Sequence, residues 1–269
     1  MRGTGRTAGL LLLLGLAPAV ARSEVLRVPA DHPTIKSAVE RAADGDTVLV
    51  DDGIYLEKNI VVARKIRVGS KNPFGAVIYG SPNVGDAIFV VRAAARIEGF
   101  VLRNSQTGIE QRGGPDVRWE AADLAILDCM TGISINDAEG NVGSAAIERV
   151  IVLGFPAATG ICTNDAGRVE ASGCLIMDCR AAFQGYDHLS FGVRDSLVVD
   201  CAEAFDESTS HRPVPPATSR IDRGHGVSVL GPGSRSDPRR REQVGAFIRL
   251  VVIPSLDEVM GEADDGGTG

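Results

Sequence analysis

The chain has 269 residues, 44% of them hydrophobic, 4% aromatic and 23% charged. That apolar content excludes a disordered chain, and 32 glycines with so few aromatic residues argue against an aromatic-lined core or a stack of long helices. The net charge of −7 argues against a nucleic-acid binder, which normally presents a basic face.

The first element is an address. Arg2 and Arg6 precede an apolar run, Leu10 to Leu16, which ends in Ala17-Pro18-Ala19-Val20-Ala21. A basic start, a short apolar stretch and a small-x-small ending predict a signal peptide over 1–21, too short for a membrane span. The expected location is therefore secreted or periplasmic. The five cysteines (Cys129, Cys162, Cys174, Cys179, Cys201) match no zinc spacing, and their odd number leaves at least one unpaired.

Next comes a cap. Between Pro33 and Ala43, Ile35, Ala38, Val39 and Ala42 share one helical face, Thr34 suits the N-cap, and Gly45 serves as a stop. That face is expected to cover a first coil at Thr47-Val50.

The body is a repeat. Leu127-Asp128-Cys129-Met130-Thr131-Gly132-Ile133 returns as Met177-Asp178-Cys179-Arg180-Ala181-Ala182-Phe183 and as Val199-Asp200-Cys201-Ala202-Glu203-Ala204-Phe205. Indexed on its small-apolar pair, the series runs Asn59-Ile60, Ala87-Ile88, Gly108-Ile109, Gly132-Ile133, Gly160-Ile161, Ala182-Phe183, Ala204-Phe205 and Gly226-Val227. A period in the low twenties, carried by short Val/Ile-rich stretches without a leucine-rich signature, predicts one solenoid turn per repeat. The expected fold is all-β: a single-stranded parallel β-helix of about eight coils over 22–230, behind the N-terminal capping helix. Residues 231–269 read as an irregular linker, an apolar stretch at Gln243-Ile253 serving as a last strand or capping helix, and an acidic tail.

Val28-Pro29-Ala30-Asp31-His32-Pro33-Thr34-Ile35-Lys36-Ser37-Ala38-Val39, followed by Gly45-Asp46-Thr47-Val48-Leu49-Val50 and Gly53-Ile54-Tyr55, resembles the opening of secreted right-handed parallel β-helix proteins. These form the pectin-lyase-like superfamily, including its NosD-like and uncharacterised branch. The resemblance covers about residues 25–230 and implies the fold. It says little of activity, because members include lyases, hydrolases, esterases, binding modules and scaffolds.

A solenoid turns sequence offsets into surface rows, and three rows stand out. The cysteine row, Cys129, Cys179 and Cys201 with Gly154 between, reads as packing, although Cys179 and Cys201 are one turn apart and near enough to bond. The aspartate row, Asp128, Asp178, Asp200 and Asp222, reads either as turn residues bonding their own backbone or as a Ca²⁺ site of the pectate-lyase kind. No cofactor follows with certainty, Ca²⁺ is the cation this row would suit, and the metal ligands stay unassigned.

The third row, Asp137, Asp165 and Asp187, borders the longer loops and has Arg112, Trp119, Arg168 and His188 near it in sequence. It reads as solvated turns or as a sugar site. In the second case Asp165, Asp187 and His188 are the candidate catalytic groups, and Arg112, Trp119, Asp137 and Arg168 the candidate substrate contacts. Gly224-His225-Gly226 is similar to the G-H-G of polygalacturonases, but their double aspartate is absent and no lysine follows Arg249; the Q-D-T of pectinesterases is missing too. The leading expectation is an exported β-helix that engages extracellular polysaccharide along one loop-bearing face without a recognisable catalytic motif. The rivals are a polysaccharide lyase or glycosidase built on stacked aspartates, and a surface scaffold with no sugar ligand. Oligomeric state is not legible.

Overall fold

The computed structural model describes residues 23–113, 117–136, 143–164, 167–186, 190–207, 221–231, 242–244 and 246. The expected signal segment and most of the expected linker and tail lie outside them.

Short apolar-alternating stretches cannot bury a face alone, so they stack in parallel, each hydrogen-bonded to the equivalent stretch one turn on. The result is a parallel β-solenoid of about seven turns with three faces. The first face runs through Val25–Val28, Thr47–Val50, Arg67–Ser70, Arg96–Glu98, the starts of Arg118–Asn136 and Ser144–Leu153, then Arg168–Ser172, Ser190–Arg194 and Asp222–Arg223. The second holds Gly53–Leu56, Ala76–Tyr79, the start of Phe100–Arg112, the middle of Arg118–Asn136, the end of Ser144–Leu153, Leu175–Met177, Leu197–Val199 and Ser228–Leu230. The third holds Ile60–Val62, Ala87–Val91, the ends of Phe100–Arg112 and Arg118–Asn136, Thr159–Asn164, Ala181–Tyr186 and Glu203–Asp206.

Each face contributes an inward column. On the third it is Ile60, Phe89, Ile109, Ile133, Ile161, Phe183 and Phe205. This is the expected repeat series with two corrections. Phe89, not Ile88, faces Ile60, because the loop before it shifts the register by one residue. Gly226-Val227 opens no eighth coil: Gly226, at φ 74°, turns the chain between Asp222–Arg223 and Ser228–Leu230.

Two corners per turn are made by single residues in the left-handed region. Between the first and second faces stand Gly99, Asp123, Arg149, Gly173 and Asp195; between the second and third stand Asn104, Asp128, Asp178 and Asp200, all at φ between 47° and 78°. Asn and Asp tolerate this conformation better than other side chains that carry a Cβ. Arg149 is the exception. Its guanidinium forks onto the Asp123 carboxylate one turn below, at 2.7 and 2.8 Å.

The residue after a corner completes it. Cys129, Cys174, Cys179 and Cys201 donate their S–H to the carbonyl two residues back, at 3.4–3.5 Å, and Ser196 does the same with its hydroxyl at 2.8 Å. Successive turns also link there: the Cys174 amide donates to Ser196 Oγ at 3.2 Å, and the Cys179 amide to Cys201 Sγ at 3.4 Å. The repeated Asp-Cys pair is thus a left-handed corner followed by a thiol that satisfies its loose carbonyl.

The cap helix, Ile35–Arg41, packs on the strands of the first turn and buries Ile35, Ala38 and Val39, as its periodicity predicts. Thr34 and Ser37 form a capping box. The Glu57 carboxylate accepts the Ile35 and Lys36 amides at 2.8 and 2.9 Å, and Arg64 donates to the Glu40 and Ala42 carbonyls. Both sets of orphan helix groups are therefore met by the coil beneath. At the other end Arg223 occupies an inward position and lies over the Phe205 ring at 4.3 Å.

Candidate functional site

The outer side of the first face is the most charged surface of the coil. Alternation sends Arg67, Arg96, Glu120 and Glu170 outward in one column and Arg118, Ser144, Arg168 and Ser190 in the next. Together with Lys65, Ala94, Ala95 and Ala146 they line an open groove of about 730 Å³. The small residues leave a low floor between long charged walls.

The charges fall into two sets. Arg67 and Arg96 both bind the Glu98 carboxylate, Arg96 also reaches Glu120, and Arg194 lies 3.6 Å from Glu170. Lys65, Arg118 and Arg168 are exposed and have no side-chain hydrogen bond or ion pair among the described residues. Arg118 and Arg168 stand in one column with Ser144 between them. Two strand spacings, about 10 Å, therefore separate the two cations along the axis.

Of the residues expected at a sugar site, Arg168 lines this groove, the buried Trp119 lies beneath its floor, and Arg112 is elsewhere. Arg112 belongs to the third face, where its guanidinium pairs with Glu110 at 2.6 Å and donates to the Gly85 carbonyl. It opens a polar ladder across that face. Asn136 donates to Glu110, Ser134 to Asn136, and Cys162 to Ser134; higher up, Gln184 donates to Tyr186 and Asp206, and Arg180 pairs with Asp206. These groups largely satisfy one another.

Trp119 requires a correction. It is not an aromatic plate for a sugar, because it is 2% exposed and lies in the interior. Its position alternates inward with Ala121, its register neighbours are Ala145, Val169 and Phe191, and its Nε1–H donates to Gln111 Oε1 at 2.8 Å. Small Ala145 in the next turn leaves room for the indole.

Asp137, Asp165, Asp187 and His188 lie outside the described residues. The residues just before the three aspartates, Asn136, Asn164 and Tyr186, are in register on successive turns.

The aspartate row also changes. Asp128, Asp178 and Asp200 are corner residues, and Asp128 accepts an ion pair from Arg103 at 2.6 Å. Asp222 is not among them; it pairs in register with Gly192 on the first face, and the chain reaches the corner after Asp200 only at Gly231. No group of three or more His, Cys, Asp or Glu among the described residues is arranged to hold a metal ion. What places Asp128, Asp178 and Asp200 at these positions is the left-handed backbone of the corner, which their residue type tolerates.

The cysteines are buried free thiols. Cys179 and Cys201 form no disulfide despite lying one turn apart. Burial pushes Cys129 and Cys174 up to about 12 and Cys162 up to about 11, so none of these three is a ready thiolate. The side-chain hydrogen bond with Cys201, followed by burial, raises Cys179 as well.

The basic groove was not read from the sequence. Its signal was present as arginine at Arg96, Arg118 and Arg168, each opening a first-face strand. No helix among the described residues is long and apolar enough to cross a membrane. Comparison with protein-family models, with curated proteins and with solved structures yields no match.

Proposed function

We propose that this is an exported β-helix protein, of the kind its opening resembles in the pectin-lyase-like superfamily, and that it engages an acidic extracellular polysaccharide along the first-face groove. The observation that carries the reading is a set of cations unpaired among the described residues, Lys65, Arg118 and Arg168, along one groove of a chain whose net charge is −7. An acidic protein that leaves exposed arginines unpaired beside a shallow trough offers them to an anion. The trough runs over several turns and suits an extended polymer better than a small molecule. Arginines two strand spacings apart suit a chain that turns a carboxylate toward the groove on every second sugar, since one pyranose advances a polymer by roughly one strand spacing. Ser144 and Ser190, in the same column, are placed for hydroxyls of the intervening sugars.

The test is retention of the full chain on immobilised alginate, polygalacturonate, a neutral dextran and double-stranded DNA. Binding to an acidic glycan that falls steeply with salt, and falls at least tenfold in the Arg118→Gln/Arg168→Gln chain, is the expected result. Equal retention of dextran, or an unaffected double variant, would sink the groove reading. Equal retention of DNA would reduce it to general polyanion binding. Following unsaturated-product absorbance and reducing ends on the same glycans, with and without Ca²⁺, separates binding from turnover.

A further inference from the structure

The second face carries an anomaly on its outside. Its strands send Ala125, Ile151, Leu175 and Leu197 outward in one column, in register on four successive turns, with Val199 in the neighbouring column. Outward side chains of a solenoid meet water, yet these five are between 1% and 7% exposed and, with Phe74, form a hydrophobic cluster separate from the interior. The sheet itself does not bury them. Ile54 and Leu56 occupy the same two columns at the first rung and are 71% and 81% exposed. Something covers the later turns.

One described residue of the covering layer is Val244, which packs against the cluster from the short helical stretch that begins at Glu242. From there the sequence continues with Phe247, Ile248 and Val251, at the i, i+3, i+4, i+7 spacing of an apolar helical face, and stops at Pro254. If that sequence pattern is helical, the ten residues 244–253 extend over about 14 Å. Three strand spacings, the axial distance from Ala125 to Leu197, are also about 14 Å.

We infer that residues 244–253 are the occupant of this stripe: the C-terminal segment binds lengthwise along the outside of the second face and seals it. The second face is thereby closed to other partners by the protein's own chain. The inference does not depend on what the first-face groove binds.

The experiment places p-benzoylphenylalanine at position 247 of the full chain, irradiates it, and maps the crosslink after trypsin digestion. Peptides 119–149, 150–168, 169–180 and 195–220 together hold the stripe residues, and an intramolecular crosslink to one of them is expected. A crosslink between two chains would make the stripe a contact between copies and overturn the inference, as would a crosslink to other peptides. As a second readout, the full-length Phe247→Asp/Ile248→Asp chain is expected to exchange the amides of 151–153, 175–177 and 197–199 at least tenfold faster, with 25–28 and 47–50 unaltered. Unchanged exchange along the second face would equally overturn it.

Discussion

Trp119 is the only tryptophan in the chain, so its surroundings can be read directly from fluorescence. A buried indole beside Ala145, Val169 and Phe191 is expected to emit at short wavelength and to resist iodide quenching until the protein unfolds. Trp119→Phe keeps most of the ring volume but leaves Gln111 Oε1 without the donor that now stands at 2.8 Å. Stranding a buried acceptor costs about 1–3 kcal/mol. For a domain of this size, that lowers Tm by roughly 2–4 °C per kcal/mol. Trp119→Ala also empties a large interior volume, at about 3–5 kcal/mol. Circular dichroism melts of both variants measure these losses, and glycan retention below the transition is expected to be unchanged in Trp119→Phe. Emission like that of free tryptophan with ready quenching, or lost retention at undiminished Tm, would refute the buried placement and restore the stacking plate.

Three more outcomes follow from the coil. A Cβ at Gly132 would stand 2.5 Å from the Gly160 carbonyl oxygen and 3.1 Å from the Val152 methyls, so Gly132→Ala is expected to cost about 1–3 kcal/mol in thermal or urea unfolding; an unchanged midpoint would contradict that packing. At the Asp178 corner, φ 57°, Asp178→Gly is expected to hold its Tm and Asp178→Val to lose about 1–2 kcal/mol, with millimolar Ca²⁺ shifting neither. A Ca²⁺-dependent rise in Tm that disappears in Asp178→Gly would favour ligation over turn geometry. The thiols set a pH limit. Cys129, Cys162 and Cys174 titrate higher in the native chain than their usual value of 9.0. The stability they contribute is therefore complete below about pH 9 and is lost as the pH climbs toward 11–12, by up to about 1.4 kcal/mol per pH unit for each thiol. Urea midpoints between pH 8 and 10.5 test the fall, and a flat profile would show that the thiols are accessible.

The architecture was legible because a solenoid writes its geometry into sequence offsets. The Ile109-Ile133-Ile161-Phe183-Phe205 series is a physical column, and the Ile35-Ala38-Val39-Ala42 face is the buried face of the cap. Legibility fails where an offset alone cannot say which way a side chain points. Trp119 lies in a loop-flanking stretch that reads as surface, but the strand begins at Arg118, and one step of alternation puts the indole inside. Asp222 keeps the 22-residue spacing from Asp200 yet leaves the row, because its strand pairs with Ser190–Arg194 on the first face. The Asp-Cys pair was visible, but its role was not. Only the corner dihedrals and the carbonyl two residues back show the thiol as a hydrogen-bond donor rather than an inert filler.

The choice of groove follows from comparing the three outer faces for what each leaves unsatisfied. On the second face the middle turns are apolar and already covered, with Leu175 1% exposed. On the third, Glu110, Ser134, Gln184 and Asp206 are engaged by their neighbours, so a ligand would have to break protein hydrogen bonds to gain its own. The first face differs: Glu98 and Glu120 absorb Arg67 and Arg96 and hold them in place, while Lys65, Arg118 and Arg168 have no side-chain partner among the described residues. An anion arriving there exchanges only water. Its contacts are with exposed groups in high dielectric, each contributing on the order of 1 kcal/mol or less, so useful affinity must come from several sites engaged at once. That requirement favours a repeating ligand on a repeating surface. It also predicts that retention by short acidic oligosaccharides rises steeply with length until the chain spans from Arg118 to Arg168, and only gradually beyond.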